Sequence, residues 1–298
     1  MKAGTDINDK TEVSDIAKKT VYSILFSIAF AHLLNDLLQA VIPSAYPILK
    51  EKYNLSFTQI GLITFSYQMA ASILQPLVGF YTDKRPKPFS QIFGMLFTTT
   101  GIIILSYASS FSMIIISVIF VGIGSSIFHP EASRISFLSS GGKRGLAQSI
   151  FQLGGNAGTA LGPLLVALIV VPNSQYYIIW FVIAAIIALM VLSRIALWYK
   201  NHLSERATKK TAIDLLHLSR KKIIISVAIL MVLIFSKFFY MASMSSYFTF
   251  YLMDKFHLSV QAAQLHLVLF LASCSMGTLI GGHLGDKFGR ISVIWFSF

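Results

Sequence analysis

Charged residues are scarce in this chain. They make up 12% of its 298 residues, about half of the roughly 25% found in an ordinary soluble domain. A surface so poor in charge excludes a water-soluble globule and asks for a bilayer as solvent. One cysteine, Cys274, stands in an apolar run, which excludes an intrachain disulfide and any multi-cysteine metal centre. No glycine loop followed by Lys-Ser/Thr is present, so ATP is not expected to drive the protein directly. No His-Glu-x-x-His or Cys/His cluster offers a metal or cofactor site, and nothing supports an enzyme. The polar N-terminus lacks the short apolar core of a cleaved secretory signal, so the first apolar run reads as an uncleaved insertion signal. Acidic residues number 12 against 24 basic ones. The basic residues lie in short clusters between apolar runs, not along one face, which argues against nucleic acid as a partner.

What the chain has in abundance is apolar length. Runs of about 20 residues predict membrane helices, here at 21–47, 57–82, 89–109, 112–133, 145–171, 176–198, 223–251 and 260–283. A ninth begins at Ile291 and holds eight residues, Phe298 included. Lys2, Lys10, Lys18 and Lys19, then Lys84, Arg85 and Lys87, then Lys143 and Arg144 fall on one side. Lys200, Arg206, Lys209, Lys210, Arg220, Lys221, Lys222, Lys287 and Arg290 continue the series, while the opposite loops hold only Lys50, Lys52 and Lys255. The positive-inside rule therefore predicts a cytoplasmic N-terminus. The expected division is a cytoplasmic segment 1–20, six spans over 21–198, a basic linker 199–222 and a partial second half, 223–298.

The two halves repeat each other. Glu51-Lys-Tyr-Asn-Leu-Ser56 aligns with Asp254-Lys-Phe-His-Leu-Ser259 at an offset of 203, and the same offset places Gly79-x-x-x-Asp83-Lys84 on Gly282-x-x-x-Asp286-Lys287. A period this long points to a transporter built from two parallel membrane halves. Gly79, Asp83, Lys84 and Arg85, and again Gly282, Asp286, Lys287, Gly289 and Arg290, each close an even-numbered span. The glycine suits close helix approach. An acid at a helix C-terminus opposes the macrodipole and so calls for a basic partner or a neighbouring helix's N-terminus. A cytoplasmic gate latch is one reading; a topogenic turn with basic flanks is the other.

These residues resemble the cytoplasmic signature of the major facilitator superfamily, and the second copy is the closer match. In span five, Gly154, Gly155, Gly158, Gly162 and Pro163 resemble the glycine-proline motif of the superfamily's antiporters, although Leu164 to Leu168 hold none of its further glycines. Helix packing and a proline bend are their physical roles. His32-Leu-Leu-Asn35-Asp36, Phe128-His-Pro-Glu131-Ala-x-Arg134 and Ser149-x-Phe-x-x-Gly-Gly-Asn156 resemble the fosmidomycin resistance protein family. That resemblance implies an all-α membrane protein of the superfamily fold, with six N-terminal helices and an incomplete C-terminal half. It also implies proton-coupled efflux of a small compound such as a phosphonate antibiotic across the bacterial inner membrane, by a monomer.

Ionisable groups within spans are costly and are functional candidates. His32 and Asp36 stand four apart on one face of span one, with Asn35 beside them. Lys237 lies mid-way in span seven, and Asp36 and Lys237 are expected to face each other across a cavity; alternatively, Lys237 snorkels and Asp36 bonds helix backbone. Glu131 and Arg134 share a helix face, and Gln148, Gln152 and Asn156 form a stripe at four-residue spacing. Together they form either an inner vestibule for substrate or a structural salt bridge with interhelical hydrogen bonds. Import of a small metabolite on the same fold, or a truncated fragment that transports nothing, are the competing readings.

Overall fold

A backbone in hydrocarbon can satisfy its own N–H and C=O groups only within a helix or a closed barrel, so long apolar runs become long helices. The computed structural model describes residues 20–206 and 220–288. Helix α1 (Tyr22–Ser44) breaks at Ala45 and continues as Tyr46–Tyr53. It is followed by α2 (Phe57–Lys84), α3 (Ser90–Tyr107), α4 (Phe111–Ser139) and α5 (Arg144–Leu165). Then come α6 (Phe181–Arg206), α7 (Arg220–Phe256) and α8 (Val260–Phe288). Among the described residues seven helical runs are long and apolar enough to cross a membrane. The second expected span, α2, stands outside that set because Gln68 and Gln75 dilute its apolar middle. Both ends of the expected linker are taken up by α6 and α7. Residues 1–19, 207–219 and 289–298, with the expected start of a ninth span, lie outside the described residues.

The repeated hexapeptide has a physical explanation. Asn54 and His257, at the repeat offset, are the two non-glycine residues with positive φ among those described, at 50° and 53°. Each turns the chain after its helix through the left-handed region that favours glycine and tolerates asparagine. Two residues later a serine starts the next helix. Ser56 Oγ accepts from Gln59 N at 3.2 Å while Gln59 Oε1 accepts from Ser56 N at 2.9 Å, a reciprocal cap. Ser259 Oγ accepts from Ala262 N at 3.2 Å. Left-handed residue, leucine, capping serine is therefore one elbow used twice.

Glycines set the helix separations. The two helices α1 and α5 meet along Gly154, Gly158 and Gly162, where a Cβ would strike backbone of Ala29 and Leu33 and the side chain of Ala40. Between α3 and α4, a Cβ on Gly101 would come within 2.6 Å of Ser117 O, and between α2 and α4 one on Gly122 would come within 2.7 Å of Tyr67 O. Pro163 withdraws a backbone donor from α5, which widens into a π turn, Val166–Val170, closed by Val171 N to Val166 O at 3.0 Å. These seams hold α1 at the centre, with the buried face of Ile28, Ala31, Leu34, Leu38 and Val41 in the main core.

The described hydrogen bonds between α1–α6 and α7–α8 lie midway or toward the end of the bundle opposite the start of α1. Thr64 Oγ1 lies 3.3 Å from Ser246 Oγ, Gln264 Nε2 donates to Ser44 O at 2.7 Å, and Gln261 Nε2 donates to Ala167 O at 3.3 Å. Midway, Asn156 Nδ2 donates to Thr278 Oγ1 at 3.2 Å.

Candidate functional site

Halfway along α1 one face carries His32, Asp36 and Gln39, because steps of three and four residues return to the same side of a helix. Asp36 is flanked by two imidazoles. His32 Nε2 lies 3.2 Å from one carboxylate oxygen and His129 Nε2, from α4, 3.5 Å from the other, to which Asn35 Nδ2 also donates at 3.1 Å. Room for the first pair comes from Gly155, whose Cβ would otherwise sit 2.6 Å from His32 Nε2 and 2.7 Å from Asp36 Oδ2. The His32 ring stacks on Phe151, with centroids 4.0 Å apart. His32 is buried with a side-chain exposure of 3%, while Asp36 and His129 keep 17% and 27%. The cluster therefore has one sealed side and one open side.

The far nitrogen of each ring is pinned. His32 Nδ1 lies 2.8 Å from Phe151 O, and His129 Nδ1 lies 3.0 Å from Ser125 O. A carbonyl oxygen only accepts, so both Nδ1 atoms carry hydrogen and both Nε2 atoms turn to Asp36. The Ser125 hydroxyl lies 3.3 Å from His129 Nδ1 and donates at 3.3 Å to Gln39 Oε1, which also receives the hydroxyl of Tyr67 from α2. The Nε2 and carboxylate atoms of His32, Asp36 and His129 lie within 4.8 Å of one another, near enough to share a cation; hydrogen bonds already account for each of them.

The expected pairing of Asp36 with Lys237 is absent. Lys237 is exposed on α7 near Cys274, and Asp36 spends its contacts on His32, His129 and Asn35. Two imidazoles within reach give the carboxylate its partners without a lysine from the other half.

A second cluster sits toward the N-terminal side. Arg134 Nη1 donates to Glu131 Oε1 at 2.8 Å and to Thr82 O at 2.9 Å, and Nη2 reaches Asp83. Glu131 is fully buried with its second oxygen unpartnered among the described residues, whereas Asp83 is 73% exposed. The acid at the end of α2 thus receives a basic partner from α4. Gly79, expected to permit close approach, would accept a Cβ: one there would lie in ordinary contact, 3.7 Å from Pro130 Cβ. Lys84 Nζ lies 3.9 Å from the Phe80 ring centre, and Arg85 ends α2. In the second copy, Gly282, Asp286 and Lys287 fall within α8, but their side chains, and all of Gly289 and Arg290, lie outside the described residues.

On α5 the polar stripe is partly joined. Gln152 Nε2 donates to Asn156 Oδ1 at 3.1 Å, and Asn156 passes the contact to Thr278, while Gln148 is exposed. Sequence reasoning missed Gln39, Ser125 and Tyr67. Gln39 was within reach of it, three residues after Asp36 and seven after His32, on the face already singled out.

Comparison with known proteins places this arrangement among relatives. The profile described as Major Facilitator Superfamily matches residues 28–298. The fosmidomycin resistance protein of Escherichia coli (strain K12) is 50% identical over 279 residues, covering 93% of this chain and 68% of that protein. An uncharacterised MFS-type transporter, YfnC of Bacillus subtilis (strain 168), is 45% identical over 280 residues, covering 92% of this chain and 68% of its own. The chain thus spans about two thirds of the length of these relatives. Among solved structures, a bacterial homolog of the human lysosomal transporter Spinster, inward-facing and unoccupied, superposes with a TM-score of 0.66 at 17% identity. That match covers 90% of this chain and 63% of the other, and shows a shared fold.

Proposed function

Because the chain belongs to the major facilitator superfamily, we propose that it is a proton-coupled exporter of a small compound, phosphonates among them, working as a monomer in the bacterial inner membrane. The N-terminus lies in the cytoplasm, as the Lys/Arg distribution implies. The observation that carries the reading is the carboxylate of Asp36, held inside the bundle between two imidazoles whose outer nitrogens are committed to carbonyls.

Proton counting shows what that cluster can do. Each contact between an Nε2 and a carboxylate oxygen holds one proton. With both filled, two imidazolium rings and one carboxylate carry a net charge of +1; with one filled the cluster is neutral. One proton therefore enters or leaves without any heavy atom having to move. His129 and Asp36 keep the exposure through which it exchanges. A substrate donor group, such as the P–OH of a phosphonate monoanion, competes with the His129 proton for the same carboxylate oxygen, and antiport requires such competition. The two-half repeat supports rocking of the halves about this site, with the contacts at Ser44, Thr64 and Ser246 opening as it turns outward. The name carried by the Escherichia coli relative supports the phosphonate class.

The test is accumulation of fosmidomycin in cells producing the protein, with and without an uncoupler. Expression lowers accumulation, the uncoupler abolishes the effect, and Asp36→Asn, which keeps shape but removes the acid, behaves as the empty vector. Efflux that survives the uncoupler, or survives D36N, refutes the coupling assignment.

A further inference from the structure

We propose that Gln261 and Gln264, at the start of α8, form the clasp that holds the outer side of the transporter shut. They do so by donating to two carbonyl groups that broken helices of the first half leave open. The inference rests on the orientation and rocking of the halves given above, and assigns two residues which that reading does not use.

Each carbonyl is open for a reason that lies in the backbone. Pro47 has no N–H for the Pro43 carbonyl and its ring crowds that carbonyl, so α1 stops at Ser44 and starts again at Tyr46. The first bond of the new segment runs from Leu49 N to Ala45 O, at 3.0 Å. The ladder thus passes over Ser44 O. The π turn after α5 has the same consequence. In an α-helix Val171 N would serve Ala167 O, but here it bonds Val166 O at 3.0 Å. Pro172 has no N–H to offer, and Asn173 N goes to Val170 O at 3.1 Å. Here the ladder passes over Ala167 O. Ser44 and Ala167 are both fully buried, where a carbonyl without a donor is costly.

Residues three apart share one side of a helix, and that side of α8 supplies both donors. Gln264 Nε2 donates to Ser44 O at 2.7 Å and Gln261 Nε2 to Ala167 O at 3.3 Å. A carbonyl only accepts, which fixes the amide nitrogen as the end that faces it. Gln264 is fully buried, so the shorter bond is sealed from solvent. One turn of α8 therefore ties α1 and α5, at the points where each departs from regular helix, to the other half of the molecule. Bonds within a helix outlast a movement of one half against the other; these two do not. When the outer side opens, water reaches both carbonyls and replaces the glutamines. A net hydrogen bond moves an equilibrium by roughly two- to tenfold, enough to favour the closed side and little enough to break in every cycle.

The experiment measures the distance between two spin labels by pulsed electron paramagnetic resonance, on purified protein in lipid nanodiscs. Glu51→Cys and Lys255→Cys, at exposed positions beside the outer ends of α1 and α7, carry the labels, and Cys274→Ser removes the native cysteine. Gln264→Met keeps length and bulk but removes the donor, and raises the ratio of the longer to the shorter distance roughly two- to tenfold. Gln261→Met, which loses the longer bond, moves the ratio less. Pro47→Ala returns an N–H to α1 and lets Ile48 N serve Ser44 O, so it also favours the longer distance. Adding it to Q264M changes little further, because both remove the same bond. A Gln264 that acts by packing alone predicts a Q264M close to the wild type and independent effects for the pair. An unchanged ratio in Q264M, or full additivity of Q264M and P47A, overturns the proposal. Where Q264M fails to fold, P47A reads the same bond from its other partner, and an unchanged ratio there overturns it equally. Uncoupler-sensitive fosmidomycin efflux by the wild type is scored separately. Its absence refutes the exporter reading, while the distance ratio still decides the clasp.

Discussion

The seam between α1 and α5 makes a quantitative prediction. A Cβ on Gly158 would lie 2.9 Å from the carbonyl carbon of Leu33 and 3.0 Å from its Cα, and one on Gly154 would lie 2.8 Å from the carbonyl carbon of Ala29. Non-bonded carbons rest about 3.5–4.0 Å apart, so Gly158→Ala asks the helices to part by roughly 0.5–1 Å. The obstacle is backbone, which cannot rotate away. Overpacking of this kind costs about 1–3 kcal/mol, and a gap of ~0.5–1 Å gives up a quarter to a half of the dispersion energy along the rest of the seam. We expect a loss near the middle of that range, about 2 kcal/mol, for G158A and for G154A alike, measured by equilibrium unfolding in mixed micelles. The double variant should fall well short of the sum, because helices parted once need not part again. Transport should fall further than stability, since the same displacement stretches the 2.8 Å bond from His32 Nδ1 to Phe151 O that fixes the ring. Gly145→Ala is the control. Its Cβ meets nothing within 4 Å, and the change should leave stability unaltered or raise it by up to about 1 kcal/mol. Full additivity of G154A and G158A, or a neutral G158A, would refute the argument.

Arg134→Ala strands the buried carboxylate of Glu131 and should cost about 3–5 kcal/mol in the same unfolding assay, with most of it recovered by adding Glu131→Gln. Asp83→Asn, at the exposed end of the cluster, should cost under about 1 kcal/mol. At the elbow, Asn54→Val places a β-branched residue at a φ of 50° and should lose roughly 1–2 kcal/mol, whereas Asn54→Gly should be close to neutral; equal losses from both would dismiss the backbone explanation.

How far the sequence could be read depended on whether a contact was local. Glu131 and Arg134 are three apart and were legible as a pair, as was the need of Asp83 for a basic partner; that the partner is Arg134, 51 residues on, required the α2–α4 packing. Asp36 was found by its burial in an apolar run, but its true neighbour His129 is 93 positions away, and a mid-span lysine looked the better counter-ion. Glycines 154, 158 and 162 declared a tight seam by their spacing, although nothing in the spacing named α1 as the other side. The helices themselves were legible because apolar length dictates them. The identity of facing surfaces was not, because ridges of similar side chains fit many partners until the small residues and proline bends of both helices are known.

The elbows bear on how the protein is made. A membrane protein leaves the ribosome one helix at a time, and a helix pair that settles before its successors arrive shelters its own polar groups early. At Asn54-Leu55-Ser56 and again at His257-Leu258-Ser259 the chain reverses with a turn and a helix cap supplied by adjoining residues alone. The first hairpin of each half can therefore close before anything downstream exists. A duplication that carried this elbow with it passed on an assembly instruction together with a shape, and gave each half of the transporter its own starting point in the bilayer.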